Sequence, residues 1–127
     1  MNNAKVEDLS KMSAADRFQY FVKKVAACET VWGLQADDWA FSNTNEGGMI
    51  LPFWPERELA ECCAMGLWDS YTVTPIKLSD FMSLWLPGMH ADEVKVGFFM
   101  TPDDKVGVQD PVKLMADLED ELRILNS

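Results

Sequence analysis

The stretch Val94-Lys95-Val96-Gly97-Phe98-Phe99-Met100 does most to limit how this chain can fold. Val94, Val96, Phe98 and Met100 alternate along one face of an extended strand, and Phe99 makes the opposite face apolar too. A strand with two apolar faces has to be covered on both, so it belongs inside a sheet and not at its rim. The rest of the chain must therefore supply neighbouring strands and covering helices.

Strand candidates are plentiful. Thr30 to Leu34 is rich in β-formers, Gln35 to Asp38 makes a turn, and Trp39 to Ser42 returns. Asn43 to Gly48 is a loop by composition, and Met49 to Phe53 is a third strand. Pro52 lacks an N–H, so it is expected near that strand's end or on an edge. Tyr71 to Ile76 is a strand, and Val106 to Val108 returns after a turn at Thr101 to Lys105.

Helices carry their own punctuation. Ser13 opens one, with Asp16 in a capping-box-like position, and Phe18, Phe21, Val22 and Val25 form a single stripe ending near Ala27. Pro55 and Glu56 suit a helix start, followed by Leu59, Cys62 and Cys63 on the inner side and Gly66 as the stop. Ser79 is expected to cap a short helix that buries Phe81, Met82 and Trp85 and ends before Pro87-Gly88. Asp110-Pro111 opens the last helix, with Met115, Leu118, Leu122 and Leu125 inward and Asp117, Glu119, Asp120 and Glu121 outward.

The order α-β-β-β-α-β-α-β-β-α defines an α+β (mixed α/β) class, with one mixed sheet of about five to six strands against about four helices. A crossover through the helix at Pro55 is expected to place Leu51 and Val73 on parallel neighbouring strands. Residues 1–12 read as a mobile polar arm, and 13–127 as one domain.

The chain has 127 residues, with 21 acids against 11 bases and a net charge of -10. Such a surface repels phosphate backbones and anionic lipid, which argues against nucleic-acid and membrane partners and suits a basic protein partner. Acidity also serves solubility alone. No segment resembles a signal peptide or a membrane span. Cys28, Cys62 and Cys63 cannot all pair within one chain, which fits a reducing cytoplasm.

Chemistry-bearing motifs are mostly absent: no phosphate-binding glycine loop, no zincin motif, no nucleophile elbow. His90 lies in a polar stretch with Asp92 and Glu93, and a solvated loop is the better reading than a metal site. Each cysteine falls at a helical position expected to be buried, so structural thiols are favoured over a Cys–His pair. Asp37-Asp38 and Asp103-Asp104 sit in turns, where aspartate serves local hydrogen bonding. No catalytic residue, metal ligand or cofactor follows.

Tryptophan is the unusual feature. Trp32 and Trp85 fit core stripes, whereas Trp39, Trp54 and Trp68 fall at element edges, where an indole is half exposed. Trp54 and Trp68 would then share a partly exposed patch with Trp39 and Tyr71, serving as a binding surface. Lids over the core are the structural alternative for the same indoles.

Trp32-Gly33-Leu34, Asp38-Trp39-Ala40, Leu51-Pro52-Phe53-Trp54-Pro55, Ala60-Glu61-Cys62, Trp68, Leu86-Pro87-Gly88 and Thr101-Pro102 occur in one order. Over residues 17 to 122 the chain resembles the small bacterial proteins grouped as domain-of-unknown-function family 2750. That resemblance carries no activity and no catalytic residue. At the level of pattern, Ile50 to Pro55 and Val96 to Pro102 are also similar to SseB-type (enhanced serine sensitivity) proteins, an analogy of fold alone. The functional expectation is a non-enzymatic module acting through protein or peptide contacts. Its rivals are a small hydrolase or transferase using Cys62 or Cys63, and an immunity protein or antitoxin that neutralises a basic toxin.

Overall fold

The computed structural model describes residues 11–43, 48–64, 69–98 and 107–126, with backbone only at 42 and 43. Helix α1 spans Ala14–Cys28, and the Oγ of Ser13 accepts from the Asp16 N–H at 3.1 Å, as the capping pattern requires. Strands β1 (Thr30–Gln35), β2 (Ser42–Asn43) and β3 (Met49–Phe53) follow, then helix α2 (Arg57–Cys63) and strand β4 (Thr72–Lys77). Helix α3 is continuous from Leu78–Asp80 through a π-helical segment, Phe81–Trp85, to Leu86–Ala91. Strands β5 (Lys95–Phe98) and β6 (Gly107–Gln109) lead to helix α4 (Pro111–Leu125).

The strands form two sheets, β1-β4 and β2-β3-β5-β6, where one mixed sheet was expected, because β4 pairs with β1 and not with β3. They are joined where Trp32 and Trp54 exchange backbone hydrogen bonds of 2.9 and 2.8 Å. Strand β5 lies between β3 and β6, an interior place as expected; Phe99 and Met100 lie outside the described residues. The parallel partner of β3 is β5, with Leu51 opposite Val96. The expected pairing of Leu51 with Val73 is not found: β4 runs antiparallel to β1, with Val73 opposite Leu34. The chain makes its parallel return one strand later, because β1 offers β4 a free edge.

Both prolines within the strands sit where no donor is needed. The Trp54 N–H points toward β1, so by strand alternation the nitrogen of Pro52 faces the same edge. There it falls between the end of β2, paired only to Met49 and Ile50, and the arrival of β1 at Trp54. Trp32 spends its backbone groups on Trp54, so Pro75 opposite it turns its nitrogen outward, to the side of β4 that has no partner strand among the described residues.

Several helix boundaries differ from expectation. Helix α2 begins after Pro55, with Glu56 as its N-cap, and the Tyr20 hydroxyl of α1 donates to the Glu56 carboxylate. Ser79 does not cap α3; Lys77 holds that place without a side-chain bond. Helix α3 also runs through Pro87 and Gly88 instead of stopping before them. On α4 the buried face is Pro111, Leu114 and Leu118, while Met115 and Leu122 are partly covered and Leu125 is half exposed. The helix is thus rotated from the expected stripe, because it packs against both α1 and the end of α3.

One core fills the space between sheet and helices. Phe53 and Phe98 are register partners on parallel strands and so share a face. Helix α1 covers Phe98, with the Phe18 ring edge-on at 4.9 Å, and α3 covers Phe53, with Phe81 edge-on at 4.9 Å. Met12 packs against this core, and its carbonyl accepts from the buried Arg17 guanidinium at 2.9 Å. The chain is therefore docked from Met12 onward; residues 1–10 of the expected arm lie outside the described residues.

Phe98 is 5% exposed and lies over Gly107, its partner on β6; a Cβ at Gly107 would come within 2.0 Å of the ring. Phe98→Ala is expected to destabilise by about 3–5 kcal/mol, and Gly107→Ala by about 1–3 kcal/mol through overpacking. Denaturant titration checks both, and losses below about 1 kcal/mol would contradict this packing.

Asp110 caps α4 by accepting from the Val112 N–H, and Lys95 bridges to it at 3.0 Å. The Lys95 hydrogen bond, and then the Val112 N–H, hold its carboxyl below the ordinary carboxylate range. A depressed folded value stabilises above the unfolded value of about 3.9 and is lost as pH falls through the folded one. Asp110→Asn keeps a capping oxygen and removes the charge. The thermal midpoint of the native protein should exceed that of the variant at neutral pH and converge with it below about pH 4.

Candidate functional site

Trp39 and Trp85 pack against the core and are each only half-buried, so part of this indole pair reaches solvent. After β1 the chain turns tightly, with the Ala36 N–H donating to the Asp38 carbonyl at 2.9 Å and the Ala40 N–H to the Leu34 carbonyl at 2.8 Å. This return sets Trp39 opposite Gln35 and lays its indole across Gly33. A Cβ at position 33 would stand 3.0 Å from Cζ3 of Trp39 and 3.7 Å from Phe53. Glycine is needed here for space, and not for its backbone conformation.

Trp85 meets Trp39 edge to face, with ring centroids 4.7 Å apart at 84°. Trp85 also stands edge-on to Phe53 at 5.7 Å, so the rings form a chain from the half-buried Trp39 to the fully buried Phe81. Trp85 owes its place to the π segment, where the Leu86 N–H bonds the Phe81 carbonyl five residues back. In a regular helix Pro87 would drive its ring into the carbonyl of Ser83, and it has no N–H to give. One widened turn before it relieves that conflict; such turns recur at functional sites. Leu84, in the same segment, is 67% exposed, and Phe41, beyond Trp39, is 47% exposed.

The four residues expected to share a patch do not do so. Trp54 is fully buried, which corrects the expectation of a half-exposed indole at the end of β3. Its backbone is held by Trp32, and its side chain lies on the face opposite Phe53 because neighbours alternate along a strand. Trp39 lies on the Phe53 side, so Trp39 and Trp54 are separated by the sheet. Tyr71 is half-buried and packs against the core, and Trp68 lies outside the described residues. Trp85, read from the sequence as a core residue, is the missed member of the site. The signal for it was Pro87 inside a helical apolar pattern, which marks an irregular turn.

Other reactive groups stay apart. Cys63 is buried, Cys62 is half-buried, and Cys28 is exposed, against the expectation that all three are covered. Burial first, then the charges of Glu61 and Glu58, push the Cys62 thiol above its ordinary value, away from nucleophilic duty. His90 is exposed in the last turn of α3, and not in a loop. Among the described residues no three His, Cys, Asp or Glu side chains gather as a metal site. A 360 Å³ depression is lined by Glu29, Lys77, Leu78, Ser79, Met82 and Leu122, and one of 420 Å³ runs along α4 past Glu119, Asp120 and Arg123. Neither contains a cysteine or a histidine.

Fold and site together define a small α+β domain whose distinctive surface is an aromatic pair at a helix irregularity. The family described as protein of unknown function DUF2750 matches residues 18–118, and the chain belongs to that family. The match runs from α1 into α4 and so includes the whole aromatic site. No curated protein matches the chain.

Two measurements probe this geometry. Gly33→Ala should displace the Trp39 indole, changing the near-ultraviolet dichroism of the Trp39–Trp85 pair at a cost of about 1–3 kcal/mol. An unchanged spectrum and stability would show that the indole does not lie across Gly33. A thiol reagent at neutral pH should label Cys28 first, Cys62 slowly and increasingly fast as pH rises, and Cys63 only on unfolding. Rapid labelling of Cys62 at pH 7 would contradict its raised value.

Proposed function

We propose that the protein is a non-enzymatic binding module that docks a protein or peptide on the Trp39–Trp85 pair. The observation that carries this reading is a half-buried edge-to-face indole pair, held by Gly33 on one side and the π segment on the other. Rigid aromatics lose little conformational entropy on binding and are enriched where binding energy concentrates. The elevated Cys62 thiol argues against the cysteine-dependent enzyme. Three cysteines that form no disulfide support a cytoplasmic setting. No described helix is long and apolar enough to cross a membrane.

A photo-crosslinking residue at Phe41 or Leu84 should capture a discrete partner in the native cell, and Trp39→Ala should abolish the product. The same residue at Val112, exposed on α4, serves as the control. Products identical at all three positions, or unaffected by Trp39→Ala, would remove the aromatic pair as the docking site.

A further inference from the structure

The two stretches of chain that carry the aromatic pair hold acids and no lysine or arginine. From Val25 to Glu56 the sequence contains no lysine or arginine, and from Leu78 to Val94 it again contains none. These stretches build β1, the turn, Trp39, β3 and all of α3. The acids at the turn are Asp37 and Asp38, both exposed and immediately before Trp39. Neither carboxylate has a side-chain partner among the described residues. Gln35, opposite Trp39, is also the register partner of Thr72, and the exposed Asp69 stands three residues before Thr72 in the chain. By contrast, the depression between Glu29 and Lys77 carries both signs at its rim and selects neither.

We propose that the partner docked on the Trp39–Trp85 pair is a basic segment that presents an arginine beside an apolar residue. The inference rests on the docking reading above and names the chemistry of its partner. An arginine guanidinium is planar and weakly hydrated, so it stacks on an indole face while its N–H groups reach carboxylates alongside. Trp39 supplies the indole, and Asp37 and Asp38 supply the carboxylates at the next two positions in the chain. The neighbouring apolar residue finds Trp85 and the exposed Leu84 segment. Neither stretch holds a lysine or arginine to compete with the incoming one, and the net charge of -10 steers a basic partner inward.

The test uses the whole protein and three blocked nonapeptides in which leucine alternates with arginine, serine or glutamate. Binding is read from the backbone amide resonances and the indole N–H resonances of the five tryptophans, with buried Trp54 as internal reference. The arginine peptide should move the Trp39 and Trp85 resonances and bind about tenfold more tightly than the serine peptide, and the glutamate peptide should bind least. In Asp37→Asn/Asp38→Asn, which preserves the turn chemistry, that advantage should shrink to about twofold, as it should in roughly 0.5 M salt. Equal binding of the arginine and serine peptides at the indoles overturns the basic-partner inference and leaves the docking reading standing. Arginine-peptide shifts confined to the acidic face of α4 overturn it as well, since the attraction would then be general. If no peptide moves either indole, the inference fails, and the crosslinking experiment decides separately whether the docking reading fails with it.

Discussion

Two hydrogen bonds between Trp32 and Trp54 hold this architecture together. They are the backbone link between the two ladders among the described residues, and they fix where β1 meets the edge of β3. Once that register is set, Gly33 comes beside Phe53, and the turn after β1 carries Trp39 back over Gly33. The position of the half-buried Trp39 indole is thus inherited from a main-chain contact whose own side chain at Trp54 never reaches solvent. A polar ladder places an apolar feature, because backbone groups in a sheet must be paired and few arrangements pair them all.

Glycine and aromatic side chains are complementary at two points in the molecule. Gly107 leaves room for Phe98 in the core, and Gly33 leaves room for Trp39 at the surface. In each case the missing Cβ lets a ring approach the strand backbone closely, where packing density leaves no slack for even one methyl group. The same device stabilises the interior and exposes a rigid ring, differing only in whether a helix covers the result. Helix α1 covers Phe98; nothing described covers Trp39 to the same extent.

Local features were legible in the sequence. Ser13 and Asp110 cap their helices as their side chains require, and the interior place of β5 followed from its two apolar faces. Non-local choices were not. Whether β4 pairs with β1 or β3 depends on which edge is free after β2 ends, and no residue of β4 encodes that. Trp54 was misplaced because its proline neighbour marks a strand end equally well whether or not another strand arrives there. Trp85 was read as core and does pack against it through Phe53; what the apolar pattern of α3 did not show is the wider turn before Pro87 that leaves it half-buried beside Trp39. The aromatic site was therefore half visible: Trp39 by its position at a turn, Trp85 only through the coordinates.

Pro75 has a role beyond its own strand. It stands midway along the side of β4 that has no partner strand among the described residues, between the outward-facing N–H groups of Val73 and Lys77. A second copy approaching strand to strand would find a gap in the donor row and a ring in its path. The proline thereby acts as a terminator of chain-to-chain growth: it lets the molecule keep an uncovered sheet margin without seeding a fibril.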